Sequence, residues 1–394
     1  MIKHLFTLIW NKKKQNFLLM SEMLFSFLVV FAVFTLMVYY YRNYQKPMGF
    51  DYEDVWVVNY NNSLKTNNTD SINRFYESLR KTVKSMPLVK EISFCSDNVV
   101  LYQNTWQGGM KYKGKEVNSV NNFRVEDSYK DVLNIKMLEG RWFSKQDAVS
   151  NNRPVVINAS LKEAMFGNEN ALGARMGEND DKNNMLVIGV VQDLKAKGDY
   201  TDAGKAVYEQ IDTGSFHWLG KMMVKVSHSA DAAFEGRLYR TLANSMKDSN
   251  VEIEHLTDKR KSINYFALVP MIVLSIVAFF LITNVALGLF GVLWYNINKR
   301  RGEIGLRRAV GASGRSVAAQ LVGEALILTT LSLILGVFFA IQFPLLNVFD
   351  LPAGTYITAL ILSVVFIYVL VFICSLYPGR QAAAIYPAVA LHEE

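Results

Sequence analysis

One short segment comes close to the glycine-rich loop that binds the phosphates of ATP. Gly109, Gly114 and Lys115 have the spacing of that loop, whose backbone N–H groups cradle the phosphates while the lysine reaches the terminal ones. The next residue is Glu116, however, where magnesium binding requires a Ser or Thr hydroxyl. The segment also has the pattern of a β-hairpin. We therefore expect that this chain binds no nucleotide or other cofactor and does not hydrolyse ATP.

The residue types that support metal or hydrolytic chemistry are scattered along the chain. The five histidines lack metal-like spacing, the two cysteines form no CxxC motif, and no Ser/His/Asp group or carboxylate pair stands out. Cys374 lies in an apolar run and Cys95 in the polar middle of the chain, so we expect no internal disulfide. A metal site is not expected and a non-enzymatic protein is favoured, with a membrane-anchored enzyme kept as one alternative.

The densest charged motif is a basic segment that joins two long apolar runs. Its Lys and Arg residues are Lys299, Arg300, Arg301, Arg307, Arg308 and Arg315. One acidic residue, Glu303, precedes the next apolar run. A short basic loop between membrane helices is typical of the cytosolic side.

The distribution of charge indicates a membrane protein rather than a nucleic-acid-binding protein. The formal net charge is +7 and the pI is about 9.1. The excess of bases lies within 1–16 and 295–317, whereas 41–265 is close to neutral. Bases that flank apolar runs follow the positive-inside rule and contact membrane lipid. We therefore expect no nucleic-acid partner.

Four apolar runs are long enough to cross a bilayer. They are 17–40, 268–294, 317–343 and 356–377. The connection over 344–355 contains no Lys or Arg, which places it outside. The first run is too long for a signal peptide and no A-x-A site follows it. We predict a multi-pass protein of the inner (plasma) membrane with both termini cytosolic.

Residues 1–16 allow two interpretations. Ile2, Leu5, Phe6 and Ile9 have helical spacing, which predicts an amphipathic helix on the inner membrane face. The alternative is an extension of the first span.

The segment 41–265 mixes short strands and helices, and it predicts an α+β domain with two lobes. The predicted strands lie at 55–58, 154–158, 185–191, 207–211, 222–226 and 251–255, with a hairpin at 110–125. Helices are predicted at 70–84, 160–166 and 231–246. The fold class is therefore a membrane protein of four transmembrane α-helices, with a large α+β extracytoplasmic domain between helices 1 and 2.

The residues of the basic segment also predict its local structure. Residues 303–310 can form a short helix, the Gly-rich residues 311–314 end it, and Ser313 or Ser316 can cap the next helix. Such a helix can transmit a push from a docked partner. The alternative is an interfacial turn held by anionic lipid.

Two features of the third span also allow alternatives. Ser332, Gly336 and Ala340 are spaced by four, which suits close helix packing within or between subunits unless the spacing is accidental. Glu324 is expected to pair with an arginine of the basic segment, because a charge in a span is costly. An ion pathway is the alternative, although the span lacks a second ionisable partner.

The basic segment resembles the signature of FtsX/MacB-like ABC-transporter permeases, as does the C-terminus. The segment contains Arg300, Glu303, Ile304, Gly305, Leu306, Arg307, Arg308, Ala309, Val310, Gly311 and Ala312, then Gln320 and Glu324. The C-terminus contains Pro378, Arg380, Ala382, Pro387 and Leu391, and it departs from the family pattern at Gly379 and His392. Residues 138–143 with Asp147, 154–158, 166–167, 172–173 and 187–193 resemble, in order, elements of the MacB-type periplasmic core domain.

The resemblance implies a MacB-like periplasmic domain over 41–265 and an FtsX-like permease domain over 266–394. It implies that a second permease subunit pairs with this one as a homo- or heterodimer, and that a cytosolic ABC ATPase dimer, carrying ATP and magnesium, docks on 295–316. A periplasmic adaptor and an outer-membrane channel are further partners that it allows. The implied function is mechanotransmission for export or extraction of a substrate from the periplasmic side. The alternative is an FtsX-like transducer that regulates a cell-wall hydrolase or a sensor partner.

Overall fold

The chain divides into two compact units. The computed structural model describes residues 13–61, 66, 68–103, 106–147, 153–178, 185–211, 219–247 and 249–384. The middle unit is Asn43–Ala267, and the membrane unit combines Met1–Arg42 with Leu268–Glu394. Most of the predicted helix over 1–16 lies outside the described residues, and so do Pro387, Leu391 and His392.

The middle unit follows helix α1 (Lys13–Tyr44) and is built of short strands and helices. Its strands are β1 (Val55–Tyr60), β2 (Val89–Cys95), β3 (Gln107–Tyr112), β4 (Lys115–Val125), β5 (Met137–Gly140), β6 (Arg153–Asn158), β7 (Arg175–Glu178), β8 (Met185–Val191), β9 (Lys205–Gln210), β10 (Lys221–Val226) and β11 (Val251–His255). Its helices are α2 (Thr69–Lys84), α3 (Tyr129–Leu133), α4 (Ala159–Phe166) and α5 (Ala232–Ser245).

The strands form two groups, which correspond to the two predicted lobes. One group is the antiparallel order β11-β1-β10-β2. The other closes on itself in the order β4-β3-β7-β8-β6-β9, because β9 pairs with β4, and β5 is added beside β8. The groups join where Cys95 of β2 pairs with Val125 of β4.

Two amphipathic helices cover the first lobe, and side chains cap both of them. Asn68 accepts a hydrogen bond from the Ser71 amide at 3.0 Å, and Asp231 accepts one from the Phe234 amide at 2.8 Å. An N-cap of this kind satisfies a backbone donor that the first turn leaves free. The apolar faces then pack onto β1, β2 and β10. The buried helical residues are Ile72, Tyr76, Leu79 and Val83 of α2 and Phe234, Leu238 and Leu242 of α5.

Asn158 joins three elements of the second lobe. It ends β6, caps α4 through the Leu161 amide at 3.0 Å, and accepts from the Ala206 amide at 2.8 Å. Its side-chain N–H groups donate to Asp193 Oδ1 at 2.6 Å and to the Gly204 carbonyl at 2.8 Å. All four hydrogen bonds of a buried amide are thus used, which fixes the ends of β6 and β8 relative to β9.

The predicted motif over 138–143 forms a tight turn after β5. Gly140 has φ +67°, and an added Cβ would lie 2.3 Å from the Ile188 carbonyl oxygen. Arg141 donates both terminal N–H groups to the Asp147 carboxylate, at 2.6 and 2.7 Å. This pairing holds the pKa of Asp147 well below its usual range.

Within the part of the chain that the structure describes, four helices are long and apolar enough to cross a membrane, which agrees with the predicted number. Besides α1 they are α6 (Leu256–Lys299), α8 (Gly314–Ala340, continued by α9, Gln342–Leu345) and α10 (Ala353–Ala383). A shorter helix, α7 (Arg301–Ala309), lies between α6 and α8. A 3₁₀ turn at Val348–Asp350 precedes α10.

Two helices extend beyond the predicted spans. Helix α6 begins at Leu256, twelve residues before the apolar run, because no helix-breaking residue intervenes there. Helix α10 continues beyond 377 through Pro378 to Ala383, where Pro378 and Ala382 are buried. A proline is tolerated in such helices where neighbouring groups satisfy the freed carbonyl.

The core of the membrane unit lies between α1, α8 and α10. Its largest buried side chains include Phe27 and Phe31 of α1 and Tyr356 of α10. Helix α6 contributes Val285 and Leu289, while many of its apolar side chains stay exposed, as expected of a helix that faces lipid or another helix.

The sequence analysis did not predict β2, β5, β7 or α3. Strand β2 carries Lys90 and Glu91 among its apolar residues, which obscures the alternation. Strands β5 and β7 have four residues each, and α3 has five. Segments this short form through pairing with strands distant in sequence, so their local pattern is weak.

Candidate functional site

Helix α7 occupies most of the basic segment, as predicted. It begins after Arg300 and ends before Val310, and Ser313 caps α8 by accepting a hydrogen bond from the Ser316 amide at 3.2 Å. Gly311 has φ +104°, a conformation that favours glycine, and the Ala312 amide donates to the Arg307 carbonyl at 2.9 Å. The chain can therefore turn from α7 into α8 within four residues.

Five polar side chains form a closed ring that connects α7 and Arg300, the residue between α6 and α7, with α8. Arg300 contacts Glu303 at 3.1 Å and Glu324 at 3.3 Å. Arg307 donates to Glu303 and, at 2.9 Å, to Gln320 Oε1. Gln320 donates to Glu324 Oε1 at 3.2 Å and closes the ring. We call these five residues the polar ring.

The polar ring is most shielded where it meets α8. The side chains of Arg300 and Glu324 are 16% and 13% exposed, against 43% for Glu303. Burial works against the charge of Arg300, but the neighbouring carboxylates of Glu303 and Glu324 raise its pKa. The expected pairing of Glu324 with an arginine of the segment is thus confirmed.

The apolar residues of α7 face two ways. Ile304 and Gly305 are buried, and Ile304 packs in a small cluster with Ile297, Val317, Leu321 and Ala382. Leu306 and Val310, one turn apart, are 56% and 82% exposed. Helix α7 is therefore held on one side and presents an apolar surface on the other.

The C-terminal motif meets the same place. Arg308 donates to the Ala383 carbonyl at the end of α10. An added Cβ at Gly314 would lie 3.0 Å from that carbonyl oxygen. Together with the burial of Ala382 beside Ile304, these contacts bring together two motifs that lie about 70 residues apart in sequence.

The small residues of the third span lie at the contact with α1. Ser332 and Ala340 are 1% and 0% exposed, and Gly336 lies between them. A Cβ added at Gly336 would come 2.5 Å from Cδ1 and 2.9 Å from Cε1 of the Phe27 ring. The spacing by four thus lets α8 approach α1 of the same chain closely.

Residues 109–116 form a hairpin turn between β3 and β4, as predicted. Lys113 and Gly114 have φ +47° and +81°, and Lys115 begins β4. Among the described residues, no group of three or more His, Cys, Asp or Glu side chains is arranged to hold a metal ion.

Two family models match the chain. The MacB-like periplasmic core domain matches residues 17–238, and the FtsX-like permease C-terminal matches residues 275–387. The chain belongs to the FtsX/MacB-like family of ABC-transporter permeases. The resemblance stated from the motifs is confirmed, and this permease is a multi-pass membrane protein with a large α/β domain between its first two spans.

The permease aligns with different fractions of the relatives to which it is similar. The ABC transporter permease YvrN of Bacillus subtilis (strain 168) is 25% identical over 335 residues, which cover 81% of this chain and 79% of YvrN. The macrolide export ATP-binding/permease protein MacB of Aggregatibacter actinomycetemcomitans is 27% identical over 243 residues, 59% of this chain and 37% of that protein. The permease therefore spans well under half of that MacB.

A solved structure of the periplasmic region of MacB from Actinobacillus actinomycetemcomitans is also similar. The match covers 54% of this chain and 92% of that structure, at 20% identity and a TM-score of 0.39.

We expect a methyl group at Gly336 to destabilise the membrane unit. Gly336→Ala forces the fully buried Phe27 ring to move, and overpacking of this kind costs about 1–3 kcal/mol. Gly323→Ala on the same helix is the matched control, because no described atom outside its own helix and chain neighbours lies within 4 Å of the added Cβ. Unfolding in mixed micelles by a denaturing detergent measures both variants. Equal stability of the two would contradict the close contact.

Proposed function

We propose that this permease transmits ATP-driven motion from a separate cytosolic ATPase dimer to the middle unit, and so exports or extracts a substrate on the far side of the membrane. The observation that carries the proposal is the polar ring, which holds α7 against α8 while Ile304 packs with Ile297 of α6 and Leu306 and Val310 remain exposed. A helix held in this way can move its neighbours when a partner pushes on it.

The exposed side of α7 suits a protein partner. Leu306 and Val310 form an apolar pair, and Arg301 and Arg307 lie on the same short helix. Interfaces of this composition combine an apolar centre with charged groups at the rim. We propose that the ATPase dimer docks here and that ATP and magnesium bind on that partner.

Helix α6 offers a path from the docking site to the middle unit. It ends at Lys299, next to Arg300 of the polar ring, and it is one helix back to Leu256. The helix satisfies its own backbone hydrogen bonds along this length except at Pro270, which has no N–H to donate. In this proposal two copies, or this chain and a related one, work as a pair, and substrate does not pass between the spans.

The orientation follows from charge. The basic residues of 295–316 lie on one side of spans two and three, and 344–355 contains no Lys or Arg. By the positive-inside rule, α7 and both termini are cytosolic and the middle unit is outside. This arrangement places the ATPase and the substrate on opposite sides of the membrane.

Opening the polar ring should uncouple the ATPase from the middle unit. The double variant Glu303→Gln with Arg307→Gln removes two ion pairs of the ring. Arg300 loses the Glu303 carboxylate, and the pair of Arg307 with Glu303 is abolished. Two solvent-screened contacts of roughly 0.3–0.5 kcal/mol each lower the coupling about threefold to fivefold. The measurement is made on the complex with the co-purified ATPase in nanodiscs. A dye on Lys115→Cys reports ATP-dependent movement of the middle unit, and ATP hydrolysis is followed in parallel.

The matched control for the ring variant is Arg315→Gln, an exposed base of the same segment outside the ring. We expect the control to retain the dye response and the ring variant to show a response weakened about threefold to fivefold, while both still hydrolyse ATP. An unchanged dye response in the ring variant would contradict transmission through α7.

Cysteine labelling in intact cells tests the orientation. Both native cysteines are replaced by Ser, and a single cysteine is placed at exposed Lys115 or exposed Arg315. A membrane-impermeant maleimide should label Lys115→Cys in intact cells and Arg315→Cys only after permeabilisation. The reverse result would overturn the topology without bearing on the family.

A further inference from the structure

One loop of the middle unit contacts both the first and the last segment of that unit. The loop comprises residues 192–200 and follows β8; we call it the strap. The chain enters the middle unit at Asn43 and leaves it at Ala267. The strap binds residues 43–49 at the entry and residues 260–264 at the exit, both within the middle unit.

At the entry, Lys195 binds the end of α1 through backbone oxygens. Its ammonium group donates to the carbonyls of Asn43 at 2.7 Å and Lys46 at 3.0 Å. Its own amide donates to the Met48 carbonyl at 2.9 Å, and the Asn43 side chain donates to the Tyr200 carbonyl at 3.2 Å. A cation that binds carbonyls at a helix C-terminus also offsets the negative end of the helix dipole.

At the exit, Asp199 binds the first turns of α6. Its carboxylate accepts from Nε of Arg260 at 3.1 Å and from Nη2 at 2.9 Å, and also from the Asn264 side chain. The Asp199 amide donates to Asn264 Oδ1 at 2.9 Å, so the two residues bind each other reciprocally. The Arg260 guanidinium also lies 4.4 Å from the centre of the Tyr52 ring.

Two glycines allow the close approach. Gly198 has φ +93°, and a Cβ there would lie 2.5 Å from Asn264 Oδ1. Gly49 has φ +82°, and a Cβ there would lie 2.1 Å from the Asp193 carbonyl oxygen. A side chain at either position would separate the strap from the segment that it binds.

The burial of charge makes these contacts specific. Lys195 is 3% exposed and Asp199 is 6% exposed. A buried ion pair adds little stability compared with apolar packing, but removing one partner leaves the other charge buried and uncompensated. Charges retained at such positions fix a geometry more than they raise stability.

We propose that Lys195 and Asp199 are positioning residues, which join the entry and the exit of the middle unit into one mechanical joint. Through the strap, the start of α6 cannot shift without moving the end of α1 and strand β8. This inference rests on the proposed function in one respect: the force that acts on the joint comes from ATP-driven motion.

The joint is tested first in the permease alone. Spin labels on Gln45→Cys and Ser262→Cys, in a chain with both native cysteines replaced by Ser, report the entry-to-exit distance by double electron–electron resonance in nanodiscs. We expect Asp199→Asn to widen the distance distribution at least about twofold, because Arg260 loses its charge partner. The matched control is Asp147→Asn, which breaks another bidentate Arg–Asp pair of the same unit and should keep the parent width.

Lys195→Met provides a second variant, since it keeps the apolar stem and removes the ammonium group; it should also widen the distribution. Near-UV circular dichroism verifies that each variant is folded. Widths equal to that of Asp147→Asn in both variants would overturn the proposal. It is likewise overturned if both variants fail to fold, because the strap would then be a folding element.

The second arm separates this proposal from the proposed function. In the ATPase complex, Asp199→Asn should leave ATP hydrolysis within about twofold of the parent while the ATP-dependent response of a dye on Lys115→Cys is lost, since a joint alters transmission and not catalysis. If no ATPase co-purifies with the parent, the proposed function fails. The widths of the distance distributions in the permease alone still test whether the joint exists. A full ATP-dependent dye response in Asp199→Asn would contradict the joint.

Discussion

The polar ring is the interaction on which the arrangement at one end of the membrane helices depends. Charged groups beside an apolar helix bundle are costly unless each has a partner. Arg300, Glu303, Arg307, Gln320 and Glu324 satisfy one another, and in doing so they fix the short helix α7 against α8. The polar groups of these five residues are bonded to one another within the ring. The other exposed surface of α7 and of Val310, which follows it, is therefore mainly apolar, and Leu306 and Val310 can contact a partner.

A similar principle governs the junction within the middle unit. Apolar side chains dominate the interiors of both lobes, and buried charge is found where segments distant in sequence meet, as with Lys195 and Asp199 in the strap and with Glu209 of β9, which binds Arg153 of β6. The buried pair of Arg80 and Glu126 likewise joins α2 to the segment after β4. Apolar packing stabilises each lobe without fixing a unique junction, while a paired buried charge tolerates only one position of its partner. The polar ring and the strap therefore both depend on directional interactions.

The sequence predicted the parts of the fold with strong periodicity. The four spans, the buried strands β6 and β8, and the capped helices α2 and α5 were evident from apolar runs and turn residues. Strand β2 was missed because charged residues interrupt its pattern, and the strap was missed because Lys195 and Asn43 lie far apart in sequence. The pairing of Glu324 with an arginine was predictable from its cost in a span. Closure of the ring through Arg307 and Gln320 was not, since it depends on the sharp turn at Gly311.

The central claim is that an ATP-hydrolysing partner docks on the exposed side of α7. Replacing Leu306 with a photo-crosslinking amino acid in intact cells tests it most directly, with Val369 of α10, a similarly exposed apolar residue, as the comparison site. We predict that irradiation at position 306 yields an adduct which mass spectrometry identifies as an ABC-type ATPase subunit, and that position 369 yields none. Adducts of position 306 with lipid alone, in cells that contain the assembled permease, would contradict the account.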